Sequence, residues 1–304
     1  MNNNIKKPNF FIIGAPKCGT TSLSKYLRSH PDIFFSNPKE PNYFNKDMSN
    51  RHEYLFTEKR YLKECFANSA EYKIVGEGTV MYLYSKEAVP NILKFNPKAK
   101  FIVMIRDPIE MFYSFFSMVY ANSTGKIQDP KMVWDLQENR GKSCSISRNC
   151  NSPGAPRYNK ICKLGEQIER LFKNVPNKKN IKIIEFKEFK NNTKKIYEEV
   201  LDFLDLESDQ KTEFPVYNKS YELKSKKIVE VRRFLGQTKL NAYVKKMLGI
   251  WCWSFTEKIH QWNIKEIKKK PLNKEFKKEL RNYFKEDVKK LSKITNKDLS
   301  HWLK

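Results

Sequence analysis

The chain of 304 residues has only ten glycines, fourteen prolines, six cysteines and four histidines, and no run of eighteen apolar residues. So few glycines and prolines exclude a fibrous or low-complexity chain. No apolar run is long enough for a membrane-spanning helix. The opening MNNNIKKPNF leads straight into a strand-like stretch, so a cytoplasmic chain without a signal peptide is expected. Cys18, Cys65, Cys144, Cys150, Cys162 and Cys252 are too sparse for a disulfide scaffold and show no CxxC pairing for zinc. Only Cys144 and Cys150, in a loop-like stretch, are spaced to bridge, and in a reducing compartment both are expected to be thiols.

Acidic charge is also short. There are 34 Asp+Glu against 59 Lys+Arg, a net charge of +25, which points to anionic partners: nucleic acid, membrane surface, polyanionic glycan or phosphorylated cofactor. Only 11 of the basic residues are arginine, the better reader of planar bidentate targets, so the excess is a diffuse lysine field. It is concentrated in residues 219–304, which carry a net +15.

With 39% hydrophobic and 13% aromatic residues the chain can bury a sizeable core. Asn9–Ile13 (NFFII) reads as a buried strand, followed by Gly14-Ala15-Pro16 and a helix from about Thr20 to His30-Pro31. Lys100–Ile105 and Ile181–Phe186 read as two more strands, with helix-like segments between. The alternation predicts an α/β fold: a P-loop-like parallel sheet flanked by helices, in one domain, with ligands at the carboxyl ends of the strands. Residues 121–160, rich in Asn, Ser, Gly and Pro around a helix-like patch at 131–138, read as a surface excursion. Leu272, Phe276, Leu280, Phe284, Val288 and Leu291 recur at helical spacing within a basic, mainly helical C-terminal part, 219–304.

The segment FIIGAPKCGTTSL joins a strand to a helix. Backbone N–H groups and a helix N-terminus converge in such a turn, which suits a phosphate. Lys17 adds charge, Gly19 allows close approach, and Thr20, Thr21 and Ser22 add hydroxyl donors. It is not the G-x-x-x-x-G-K-[ST] pattern, because Lys17 precedes the second glycine.

Pro16-Lys17-Cys18-Gly19-Thr20-Thr21-Ser22-Leu23 resembles the P-K-x-G-T-T-x-L loop of sulfotransferases that use 3′-phosphoadenosine 5′-phosphosulfate (PAPS). Arg106-Asp107-Pro108 through Ser114 is similar to their R-x-P-x-x-x-x-x-S element. The resemblance implies that Lys17, Cys18, Gly19, Thr20, Thr21 and Ser22 hold the 5′-phosphosulfate, and that Arg106 and Ser114 bind the 3′-phosphate. Lys219 and Ser220 are implied to close over it. His30-Pro31-Asp32 with Lys39-Glu40-Pro41-Asn42-Tyr43-Phe44 resembles the heparan-sulfate-type branch and its bacterial relatives, which implies that Glu40 is the base for the acceptor and Lys17 the stabiliser of the leaving group. Lys39 and Glu77, the latter in a G-E-x-[ST]-x-x-Y-L-like segment, are implied on the acceptor side. Arg157-Tyr158 through Arg170-Leu171, Val200–Leu206 and Asp298-Leu299-Ser300-His301-Trp302 resemble further family segments.

The activity so implied is sulfuryl transfer from PAPS to a hydroxyl or amine of a glycan or small acceptor, without a metal. A P-loop nucleotide kinase shares the fold, and a non-enzymatic polyanion or nucleic-acid binder would use the charge. The first lacks G-K-[ST], and the second lacks arginine–aromatic clusters.

Overall fold

The computed structural model describes residues 4–48, 57–121, 129–137, 157–217, 221–223, 225, 264–266 and 271–304. Five strands form one sheet: β1 (Phe10–Gly14), β2 (Ile33–Phe35), β3 (Ile74–Gly78), β4 (Lys100–Ile105) and β5 (Ile181–Glu185). Their order is β2-β3-β1-β4-β5, and every pairing is parallel. β1 and β4 are continuous apolar runs because helices cover both faces of a parallel sheet. Every residue of β1 is buried, as is every residue of β4 except Lys100.

Between the strands lie α1 (Thr20–Arg28), α2 (Glu58–Phe66), α3 (Ala88–Phe95), α4 (Pro108–Ala121), α5 (Pro130–Leu136), α6 (Tyr158–Ile161), α7 (Leu164–Asn174), α8 (Phe186–Asn191) and α9 (Thr193–Phe203), and α10 (Lys274–Thr295) comes last. The sheet agrees with the sequence reading in class, but β2 and β3 are additional to the three strands expected. They escape a pattern search for physical reasons: β2 has three residues, and β3 (IVGEG) has two glycines and one carboxylate, a poor strand composition.

The expected surface excursion is partly anchored. Trp134 of α5 is 4% exposed and packs edge-on against Phe112 of α4 and Tyr283 of α10. The remaining residues of that stretch, with Cys144 and Cys150, lie outside the described residues. The amphipathic pattern at 272–291 becomes α10, and Phe276, Leu280, Phe284, Val288 and Leu291 are buried in the same cluster as the sheet. Leu272 precedes the helix, whose N-cap is Asn273. The basic C-terminal part also contains an antiparallel strand pair, β6 (Tyr221–Leu223) with β7 (Ile264–Glu266), which its lysine-rich sequence does not signal.

Candidate functional site

β1 delivers the chain to the carboxyl edge of the sheet. There the Ala15 amide donates to the Met104 carbonyl of β4 at 2.8 Å, and the chain turns away before α1 begins. Lys17 (φ 66°) and Gly19 (φ 90°) both take left-handed backbone conformations. A Cβ on Gly19 would also lie 2.9 Å from Cδ2 of Phe186, so backbone and packing alike demand glycine. The turn leaves the amides of Lys17, Cys18, Gly19, Thr20 and Thr21 without a hydrogen-bond partner among the described residues. Five consecutive free donors at the start of a helix form an anion cradle, and they fit the sulfate–phosphate end of the nucleotide that the sequence motif implies.

Lys17 stands over this cradle, partly buried, with Nζ 3.5 Å from Sδ of Met118 on α4. Burial, and then the Arg106 guanidinium, push its ammonium below the ordinary lysine value, while the charge of Glu40 acts the other way. Arg106 and Glu40 therefore each lie within electrostatic reach of Lys17. Cys18 differs from what its place at a helix N-terminus suggests. It is fully buried, and burial pushes its thiol up to about 12, so no thiolate is available there. Thr20 and Ser22 are buried on α1 and Thr21 is half-buried.

Arg106 leaves β4 at its carboxyl end. Nη1 donates to the Lys17 carbonyl at 3.0 Å, and Nε and Nη2 both reach Oε2 of Glu110 at 3.0 Å. Its guanidinium carbon lies 4.5 Å from the ring centre of Phe186, a cation–π stack. Ser114, 9% exposed, is one turn before Met118 on α4, so both face the Lys17 loop. Lys219 and Ser220 lie outside the described residues.

The loop from Ser36 to Asn45 brings up Glu40. Its amide donates to the Gly78 carbonyl at 3.0 Å, which seats the loop on the end of β3. Lys39 Nζ lies 2.8 Å from Oε1 of Glu40, with the lysine side chain 17% and the glutamate 39% exposed. Lys39 is thus engaged by its neighbour, whereas the sequence reading places it toward the acceptor.

Glu77 is not where the sequence reading puts it. Its side chain has no accessible surface, so it lines no cleft. Its carboxylate accepts hydrogen bonds from the hydroxyls of Tyr61 and Thr79, and the Tyr82 hydroxyl is the third polar group beside it. Burial raises it to about 7, against the lowering effect of these three hydroxyls.

Sequence reasoning misses Phe186, Glu110 and the Tyr61–Tyr82 pair. Phe186 follows β5 at the sheet edge where parallel-sheet ligands bind, and Glu110 is four residues after Arg106, so both had a positional signal. Tyr61 had none, and Tyr82 was marked only as the tyrosine of the G-E-x-[ST]-x-x-Y-L-like segment. The other recognised segments are scaffold. His30 is buried, with Nδ1 accepting from the Asp32 amide at 3.1 Å and Nε2 3.1 Å from the Glu207 carbonyl. Arg170 donates to the carbonyls of Leu83 and Tyr84 at 2.7 and 2.9 Å, tying α7 to the turn after β3.

Known proteins give the same picture. A model described as "Sulfotransferase family" matches residues 8–210. The membrane-associated sulfotransferase kil1 of Dictyostelium discoideum is 29% identical over 167 residues, which are 54% of this chain and 33% of that protein. Carbohydrate sulfotransferase 15 of Mus musculus is 31% identical over 183 residues, 47% of this chain and 31% of the relative. The chain thus spans about a third of the length of these curated relatives. Among solved structures, a sulfotransferase from Alicyclobacillus acidocaldarius superposes with a TM-score of 0.69 at 20% identity, over 99% of this chain and 100% of that one, a likeness of fold. The nucleotide kinase and the non-enzymatic binder are not favoured by this match. With the two motifs converging on one strand–loop–helix cradle and the family model covering both, the chain belongs to the sulfotransferase family.

Proposed function

We propose that the chain moves the sulfuryl group of PAPS to a hydroxyl or amine of a glycan. The single observation that carries this reading is the coupling of the two motifs, with Arg106 hydrogen-bonded to the Lys17 carbonyl beside five free loop amides. The donor's 5′-phosphate and sulfate oxygens suit those amides and Lys17, while Arg106 and Ser114 suit the 3′-phosphate. Transfer of this kind asks for positioning and charge neutralisation rather than covalent work by the protein. The acceptor oxygen or nitrogen attacks sulfur in line and the bond from sulfur to the 5′-phosphate oxygen breaks. Lys17 neutralises that departing oxygen, and Glu40 takes the acceptor proton. A glycan acceptor is supported by the printed name of carbohydrate sulfotransferase 15 and by the positive charge of this chain. Lys39 becomes free to hold an acceptor anion when Glu40 turns to the acceptor.

The test is incubation with sulfur-labelled PAPS and a panel of glycans, heparan sulfate and chondroitin sulfate first. Label in the glycan and release of 3′-phosphoadenosine 5′-phosphate are expected. Lys17→Ala and Glu40→Gln should abolish transfer, with Glu40→Gln still binding the nucleotide. A wild-type chain that does not bind 3′-phosphoadenosine 5′-phosphate overturns the reading. A cytoplasmic location belongs to the same proposal, and cell fractionation tests it, since one relative is named as membrane-associated.

A further inference from the structure

The loop that carries Glu40 is an unfavourable piece of backbone. Glu40 (φ 66°) and Asn42 (φ 57°) are both left-handed without being glycine, at a cost of about 1–2 kcal/mol each. Such a conformation persists only where surrounding contacts over-determine it. Most of those contacts lead to one buried carboxylate.

Tyr82 accepts at its phenol oxygen from the amides of Tyr43 (3.0 Å) and Phe44 (3.3 Å). Thr79 Oγ1 accepts from the Asn42 amide at 3.4 Å. An amide can only donate, so each of these oxygens must accept from the loop and turn its own hydrogen elsewhere. For Thr79 that hydrogen goes to Glu77 Oε1 at 2.8 Å, and the charge of Glu77 also acts on the Tyr82 phenol beside it. Tyr61 of α2 sends its hydroxyl to Oε2. Two hydroxyl donors thus meet the two oxygens of one group, which faces both without a hydrogen of its own only as a carboxylate. The aromatic rings complete the clamp, with Tyr43 stacked on Tyr61 at 4.2 Å and Phe44 edge-on to Tyr61 and Tyr82.

We propose that Glu77 is the positioning residue of the acceptor-side loop: its carboxylate sets the direction of the Thr79 and Tyr82 hydroxyls, so that their oxygens receive the amides of Asn42, Tyr43 and Phe44 and hold Glu40 at the donor cradle. The inference rests on the reading of Glu40 as the acceptor base. Glutamine at position 77 would turn its NH2 donor to Tyr61 or to Thr79, and at Thr79, which already faces the Asn42 amide, two donors would meet. One loop amide would then lose its partner.

The experiment compares wild-type chain, Glu77→Gln, Tyr82→Phe and Glu40→Gln. It follows amide hydrogen exchange of residues 40–45, affinity for 3′-phosphoadenosine 5′-phosphate, and label transfer from PAPS to heparan sulfate. Glu77→Gln is expected to lose exchange protection at residues 42–44 while β1 and β4 keep theirs. Turnover should fall about tenfold or more with nucleotide affinity unchanged. Unchanged nucleotide affinity together with retained protection in β1 and β4 is an outcome that a general loss of stability would not produce. Tyr82→Phe removes a single oxygen from the core and should lose protection at residues 43 and 44 even if Glu77→Gln does not fold. Retained protection together with wild-type turnover in both variants overturns the inference. Loss of protection in the variants of a chain that never binds the nucleotide overturns the proposed function and leaves the bracing of the loop standing.

Discussion

Arg106 Nη1 donates to the carbonyl oxygen of Lys17 at 3.0 Å, so the residue after β4 holds in place the turn after β1. The arginine is therefore expected to act twice, on the nucleotide and on the loop that grips it. Arg106→Ala should weaken binding of 3′-phosphoadenosine 5′-phosphate by about 10- to 150-fold, the loss of one or more charge-assisted hydrogen bonds. Arg106→Lys should recover little, because an ammonium reproduces neither the fork nor the stack on Phe186. Calorimetric titration of the three proteins checks this, and a Lys variant with wild-type affinity would remove the loop-holding role.

Glu110 takes the other side of the same guanidinium. Its side chain is 61% exposed, so the pair is worth about 1 kcal/mol or less. Its main effect is competition with an incoming phosphate. Glu110→Gln is expected to tighten nucleotide binding by up to about fivefold, more at low salt than at high salt. Titrations at two ionic strengths decide it, and weaker binding would show instead that Glu110 orients the arginine.

Lys17 is held below the ordinary lysine value by burial and then by Arg106. Its cation is consequently lost, as pH rises, before that of a free lysine. Affinity for the nucleotide should decline on the alkaline side below pH 10.5, and Lys17→Met should bind weakly with that decline absent. Binding measured at half-unit steps from pH 7 to 10 tests the assignment.

What was legible in the sequence followed physical contrast. The apolar runs of β1 and β4, the four-residue spacing along α10 and the Gly/Thr turn with Lys17 all stand out from their surroundings. Lys17 and Arg106 stand at the ends of those runs, and a hydrogen bond from the arginine to the Lys17 carbonyl joins them. Glu77 was legible as a residue of interest but not in its role, because burial of a carboxylate depends on three hydroxyls brought from α2, β3 and the turn beyond. Tyr61 is distant from Glu40 in sequence and carries no spacing signal, and Tyr82 was legible only as the tyrosine of the segment that holds Glu77. β3 is obscured by the same residue, since a strand containing Gly-Glu-Gly does not look like a strand until its carboxylate has partners.

The C-terminal helix contributes a cap in trans. Asp287 of α10, 8% exposed, accepts from the amides of Gly165 and Glu166 at 2.9 and 3.0 Å, at the start of α7. Asp287→Ala should destabilise the fold by about 2 kcal/mol, from a lost cap and two unpartnered amides. Gly165→Ala should also destabilise, since its Cβ would lie 2.4 Å from the Asp287 carbonyl oxygen. Urea unfolding of the two variants measures both costs, and an unchanged midpoint for Asp287→Ala would refute the cap.

Glu77 gives stability and activity opposite dependences on pH. Its folded value is raised to about 7 from 4.5, so between these two the folded chain binds more protons than the unfolded one. Stability from this group therefore falls as pH rises from about 4.5 to 7 and is level beyond, at no more than about 1.4 kcal/mol per pH unit. The titratable groups packed on it do not interfere. Tyr61 and Cys65 of α2 and Tyr82 after β3 are all pushed upward, Cys65 to about 12, chiefly by burial. Turnover should follow the reverse course, because the carboxylate accepts from Thr79 and Tyr61 on its two oxygens, whereas the neutral acid directs a hydrogen of its own at one of them. Urea unfolding at pH 5 and pH 7.5 should show a stability difference between wild type and Glu77→Gln that shrinks as pH rises. Over the same interval wild-type turnover should increase with a midpoint near 7, and the variant should lack that limb. A group that served packing alone would move the first measurement and leave the second untouched.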